Sequence, residues 1–192
     1  MPSLLPPGAT GTIRRVATDV DVTVAADGGG LVGPNLRASG VKWDLRWHDG
    51  YSAYPAILSK LGIDVPVGQG KAGAVGDSWD RFWQRVEECR QSVLMIREAL
   101  VQIEAHPEDD IVGKLPKKLK PEGEAYVRVE SARGDLGCYV MGAGKEEPYR
   151  VKFRTGSFNA MAIIEAKAPG LFLADLVALI ASLDVVAPEV DR

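Results

Sequence analysis

The stretch GDSWDRFWQRVEECRQSVLMIREALVQIE, residues 76–104, decides the fold, because it is the only long segment with an unbroken helical period. Trp79, Phe82, Trp83, Val86, Val93, Ile96, Leu100 and Ile103 recur at three- and four-residue spacing, which places them on one stripe of an α-helix. Asp77 stands where an N-cap is needed, and Asp80 puts a negative charge in the first turn, where the helix dipole favours it. The spacing predicts a helix of about 28 residues, roughly 42 Å long at the α-helical rise. A helix of that length is expected in a bundle, with its apolar stripe turned to the core.

Ahead of this helix, residues 1–75 are rich in Gly and Pro. DVDVTVAA at 19–26 alternates as a half-buried strand does, and residues 1–11 are expected to be poorly ordered. GPNLRASGVKWDLRW at 33–47 follows no period of 2 or 3.6. It reads as a loop with fixed backbone conformations, since Gly33 and Gly40 permit positive φ and Pro34 fixes φ. Arg37, Asp44 and Arg46 are candidates for buried charge pairs pinning that loop to the rest of the fold.

Behind the helix, Pro107, Gly113, Pro116 and Pro121 break any regular element. EAYVRVES, GCYVMGAG and YRVKFRT then read as a three-stranded antiparallel meander, the last two joined through GAGKEEP. NAMAIIEAKAPG and LFLADLVALIASLD read as closing helices, the first ended by Pro169 and Gly170. The fold class expected is α+β: a long bundle helix, a small three-stranded antiparallel sheet and closing C-terminal helices, in a single domain over 1–192. The apolar run at 170–187 reads as a buried helix. Asp175 and Asp184 would each cost about 2.5–3.5 kcal/mol near a bilayer centre, so no transmembrane segment is expected.

Composition narrows the chemistry. A net charge of -3, with dispersed basic residues and only the short KLPKKLK cluster at 114–120, argues against a nucleic-acid partner. The N-terminus has neither a basic n-region nor an apolar core, so no secretory signal is read and a cytoplasmic location is expected. Cys89 and Cys138 lie far apart, and His48 and His106 have no ligand-spaced neighbours, so no metal bound by this chain alone is expected. DGGGLVG and VGQGKAG match neither the phosphate-binding nor the dinucleotide-binding glycine pattern. SARGDLG at 131–137 has the glycines of a hairpin turn and carries Arg133 and Asp135. The terminal SLDVVAPEVDR carries Asp184, Glu189, Asp191 and Arg192, and on composition alone reads as a charged tail.

Taken together and in order, GPNLRASGVKWDLR, DVPVG at 64–68, GDSWDRFWQRVEECRQS, EGEAYVRVESARGDLGCY, PYRVKFRTGSF and ADLVALIASLDVVAPEVDR resemble one family. They are similar to the C-terminal half of the D, or 49-kDa, subunit of NADH:quinone oxidoreductase, respiratory complex I, from about Thr12 to Arg192. The resemblance implies a fold shared with the large subunit of nickel-iron hydrogenases. There a C-x-x-C pair near the C-terminus helps hold the metal; this chain ends in DVVAPEVDR, without a thiol. A nickel-iron centre needs soft thiolate ligands, so hydrogenase activity is not expected.

The resemblance further implies that the chain forms part of the quinone-reduction chamber, with quinone as substrate and the iron-sulfur cluster in a partner subunit. Asp184, Val186 and Arg192 match family positions at or near the chamber, and Arg133 matches the arginine of the family's PRGE turn. Implied partners are the cluster-bearing B-type and C-type subunits and the N-terminal half of the D-type polypeptide. That half carries the histidine and tyrosine that contact the quinone head group, and it has no counterpart in these residues. The chain is therefore expected to be inactive alone and peripheral on the inner face of the cell membrane. Two other readings fit the same residues: a non-catalytic relative acting as an interaction or assembly module, and a subunit of a ferredoxin- or F420-type oxidoreductase of the same architecture.

Overall fold

The computed structural model describes residues 30–107 and 118–191. The expectations for residues 1–11, for the strand at 19–26, for most of the basic cluster and for Arg192 lie outside the described residues.

The long helix forms as its sequence dictates. Helix α4 spans Ser78–Glu104, 27 residues, and the Asp77 carboxylate caps it by accepting from the Asp80 N–H at 2.7 Å. Among the described residues three short helices precede it: α1 (Gly33–Ala38), α2 (Leu45–His48) and α3 (Tyr54–Leu61). The loop expected at 33–47 is thus corrected to two helices joined by an irregular segment. With six and four residues, neither α1 nor α2 is long enough to display a period. Pro34 opens α1, where its missing N–H costs nothing, and Asp44 caps α2 by accepting from the Arg46 N–H at 2.9 Å.

Strands β1 (Glu122–Ser131), β2 (Gly134–Ala143) and β3 (Arg150–Arg154) form the antiparallel meander, in the order β1-β2-β3. Ser131 pairs with Gly134, so Ala132 and Arg133 alone make the first turn. Helices α5 (Gly156–Lys167), α6 (Leu173–Leu183) and α7 (Ala187–Val190) close the chain. Leu31, Ala160, Ile163, Leu179 and Leu183 make the apolar core between α5 and α6, with Leu36, Ile164, Leu171 and Val185 against it.

The orientation of α4 overturns the sequence expectation. Its buried residues are Ser78, Asp80, Arg81, Gln84 and Met95, whereas the predicted core stripe faces outward: Phe82 is 55% and Ile103 66% exposed. The apolar residues obey the helical period, but the body of the protein takes the polar face. Helix α6 is likewise buried on one face only, through Asp175, Leu179 and Leu183, with Leu173 and Val177 exposed.

Candidate functional site

Arg37 organises the centre of the molecule. Its side chain, closed off from solvent, gives Nε and Nη2 to the two Glu88 oxygens at 2.7 and 2.9 Å, and Nη1 to Glu130 at 2.8 Å and to the Trp43 carbonyl at 3.0 Å. Nη1 also lies 3.1 Å from Asp44, which Arg46 holds through both carboxylate oxygens at 2.9 and 2.6 Å. Burial alone would lower the Arg37 pKa; the Glu88 hydrogen bonds and the charges of Glu88, Glu130 and Asp44 override it and hold the guanidinium above its ordinary value. The charge pairs foreseen at Arg37, Asp44 and Arg46 are therefore present, and they join α1, α2, α4 and β1.

Beside this cluster lies the C-terminal turn. Asp184 ends α6 in the left-handed conformation, φ 54° and ψ 47°. The Arg133 Nε donates to its carbonyl at 3.2 Å and lies 3.4 Å from its carboxylate. Arg85, on α4, approaches the same carboxylate at 3.8 Å while donating to the Ser182 carbonyl at 2.9 Å and to Asn35 at 3.0 Å. The Val186 N–H donates to the Ser157 hydroxyl at 3.3 Å. That hydroxyl donates to Glu189 at 2.6 Å, and Glu189 lies 3.6 Å from Arg133. Charged as it is, the tail is tied into the fold through residue 189. Pro188 sits in the first turn of α7, where proline suits the helix start.

The β1–β2 turn carrying Arg133 is locked by close backbone approach. A Cβ on Gly33 would fall 2.2 Å from the Gly134 Cα, and one on Gly156 2.3 Å from the Arg133 carbonyl oxygen. Gly134 itself adopts φ 112°, which a side chain would strain. Two segments distant in sequence, at Gly33 and Gly156, thereby fix the Arg133 backbone.

A cavity of about 320 Å³ separates the two charged groups. Its lining includes Arg46, Glu88 and Glu130 of the Arg37 cluster together with Arg85, Ala132 and Asp184. The Arg85 Nε is buried and has no hydrogen-bond partner among the described residues.

Of the residues singled out from sequence, Arg133, Asp184 and Val186 come together here. Arg85, Glu88, Glu130 and Ser157 were missed. A signal for the α4 members existed: Asp77, Asp80, Arg81, Gln84 and Glu88 form a polar stripe at helical spacing, as regular as the apolar one. Among the described residues no group of His, Cys, Asp and Glu is arranged to hold a metal ion, and no helix is long and apolar enough to cross a membrane.

The chain is similar to both solved and curated proteins. A chain of the membrane-bound sulfane sulfur reductase, described as an archaeal respiratory membrane complex, superposes with a TM-score of 0.73 at 33% identity, over 90% of this chain and 45% of that one. The family model for the respiratory-chain NADH dehydrogenase 49 Kd subunit matches residues 16–192, and the chain belongs to that family. Three bacterial NADH-quinone oxidoreductases have a similar D-type polypeptide. That of Sorangium cellulosum, the second of its kind there, is 67% identical over 94% of this chain and 46% of its own length. The second one of Anaeromyxobacter dehalogenans is 55% identical over 85% and 41%, and that of Bacillus cytotoxicus 42% identical over 84% and 41%. The chain spans about half the length of the curated relatives it matches.

Proposed function

We propose that the chain is a component of a complex I-type NADH:quinone oxidoreductase, forming part of the wall of the quinone-reduction chamber next to the terminal iron-sulfur cluster of a neighbouring subunit. The observation that carries this reading is the C-terminal turn. Asp184 is held by arginines from two other elements, yet 40% of its side chain stays exposed. A carboxylate so fixed is preorganised, and preorganised charge acts on a reacting group without reorganisation at the moment of reaction. In this reading the chain binds no metal and transfers no hydride. Quinone is the substrate, electrons arrive from the partner's cluster, and the chain alone is inactive. Partners are the cluster-bearing B-type and C-type subunits and the remaining half of the D-type polypeptide, in a complex peripheral on the inner, cytoplasmic face of the membrane. The outward apolar face of α4 supplies surface for such partners.

Asp184→Asn keeps the shape of the turn and removes its charge; Arg133→Ala releases it, and Arg192→Ala tests the last chamber position matched by the family. In the assembled enzyme each change is expected to lower quinone reductase activity by roughly ten- to a hundredfold. NADH oxidation by an artificial acceptor reduced upstream should persist. The alternative reading, a non-catalytic assembly module, is favoured by the same outward apolar faces and expects the opposite pattern: both activities fall together, in proportion to the complex formed. Unchanged activity and unchanged assembly in all three variants would remove the site assignment.

A further inference from the structure

Within the Arg37 cluster the positive charge is unevenly shared among three carboxylates, Asp44, Glu88 and Glu130. Asp44 is taken up by Arg46 through two hydrogen bonds, and Arg85 stands near Glu88 as a further positive charge, so Glu130 has only its share of the Arg37 guanidinium. All three acids are well shielded, with side chains 0%, 14% and 4% exposed for Asp44, Glu88 and Glu130. An uncompensated buried charge is costly, and such a group takes up a proton instead.

We propose that Glu130, set against Glu88 across the Arg37 guanidinium, is a buried proton-holding carboxyl that exchanges its proton through the adjoining cavity with the Asp184 turn. Glu88, Glu130 and Asp184 all line that cavity, and Asp44 is not among its lining residues. Between Glu88 and Glu130, Glu88 is the charge with more hydrogen bonds: it accepts two from Arg37 and a third from Gln84 at 2.7 Å. Glu130 accepts only one Arg37 hydrogen bond and a long one, 3.3 Å, from the Leu45 N–H. Burial, partly offset by Arg37, raises the Glu130 pKa above the ordinary glutamate value. The groups facing it are Arg37 on α1, Asp44 and Arg46 at α2, Glu88 on α4 and the Tyr51 hydroxyl, which accepts from the Glu130 N–H at 2.8 Å. Arg85 faces Glu88 and Asp184 from the cavity wall. In each exchange one proton passes from the Glu130 carboxyl to the Asp184 carboxylate, which hands one on, and Glu130 takes one up from solvent, so the cluster returns to its starting charge. The use of that proton in quinone reduction rests on the chamber reading above; the presence of the proton does not.

Infrared titration of the 192-residue chain tests the proton directly. A carbonyl band of a water-shielded carboxylic acid should persist above the pH at which ordinary glutamates ionise and vanish in Glu130→Gln. Glu88→Gln frees Arg37 for Glu130 and should move the band's midpoint down by about one pH unit or more. No such band, or one that survives in Glu130→Gln, overturns the proposal and leaves the chamber reading standing. In the assembled oxidoreductase, Glu130→Gln should cut quinone reduction at least about tenfold and abolish the alkaline limb of its pH profile, whereas Glu88→Gln should move that limb to lower pH. A Glu130 band that behaves as expected with both pH profiles unchanged overturns the exchange with Asp184. Loss of the chamber reading shows separately, as unaltered quinone reduction in Asp184→Asn.

Discussion

Arg37 shows how much of this fold rests on one residue. It holds Glu88, Glu130 and the Trp43 carbonyl and stands beside Asp44, so truncation leaves three acids crowded together in a buried space. Arg37→Ala should cost about 3–5 kcal/mol, the range for breaking a buried pair by removing one partner. At this chain length that lowers Tm by roughly 6–20 °C, measurable by thermal circular dichroism. The pH dependence of the same cluster has a definite sign. Glu130 binds its proton more tightly folded than unfolded, so stability falls as pH rises from the ordinary glutamate value of 4.5 through the raised folded value, and is level beyond it. Asp77, raised chiefly by burial, contributes in the same direction. Glu130→Gln should flatten that fall; denaturant unfolding at a series of pH values measures it, and a slope unchanged from the parent chain would contradict the burial account.

At the scale of elements, what the sequence made legible was local. The cap at Asp77, the length of α4, the three strands, their turns and the closing helices follow from neighbours within a few residues, and the structure has all of them. Helices α1 and α2 were illegible because six and four residues are too few to display a period, although the burial of Arg37 and Arg46 in charge pairs was legible. The direction in which α4 faces was illegible for a related reason. Two regular stripes share that helix, and periodicity alone gives no means of choosing between them. In the candidate site, Arg133, Asp184 and Val186 were legible only through the family resemblance, while Arg85 and Glu88 look from sequence like routine helix-surface charges. The outward stripe is testable: Phe82→Glu and Ile96→Glu touch exposed positions and should change folding stability by no more than about 0.5 kcal/mol. A loss of several kcal/mol in denaturant unfolding would show that the stripe is core after all.

The whole molecule has the same character as α4. Its sheet carries Val127, Val151 and Phe153 on one face, all exposed, while on the other face Glu130 and Arg128 pair with Arg37 and Asp49 of the body, and Asp135 bridges Arg128 and Arg154 within the sheet. Apolar surface therefore points outward from the long helix, the sheet and α6, and extended patches of this kind mark interaction sites. The 192-residue chain should self-associate at micromolar concentration and bind a hydrophobic dye, and the Phe82→Glu, Ile96→Glu double variant should do both less. Analytical ultracentrifugation decides this; a clean parent monomer without dye binding would oppose an interaction role for these faces.

The central claim is that the Asp184 turn borders the quinone. Its most direct test is photolabelling of the assembled oxidoreductase with a light-activated quinone analogue, followed by mass spectrometry of the labelled peptides. Competed labelling, suppressed by excess unlabelled quinone, is expected on the peptide that contains Asp184 and Val186. Labelling that is competed but confined to other subunits would contradict it.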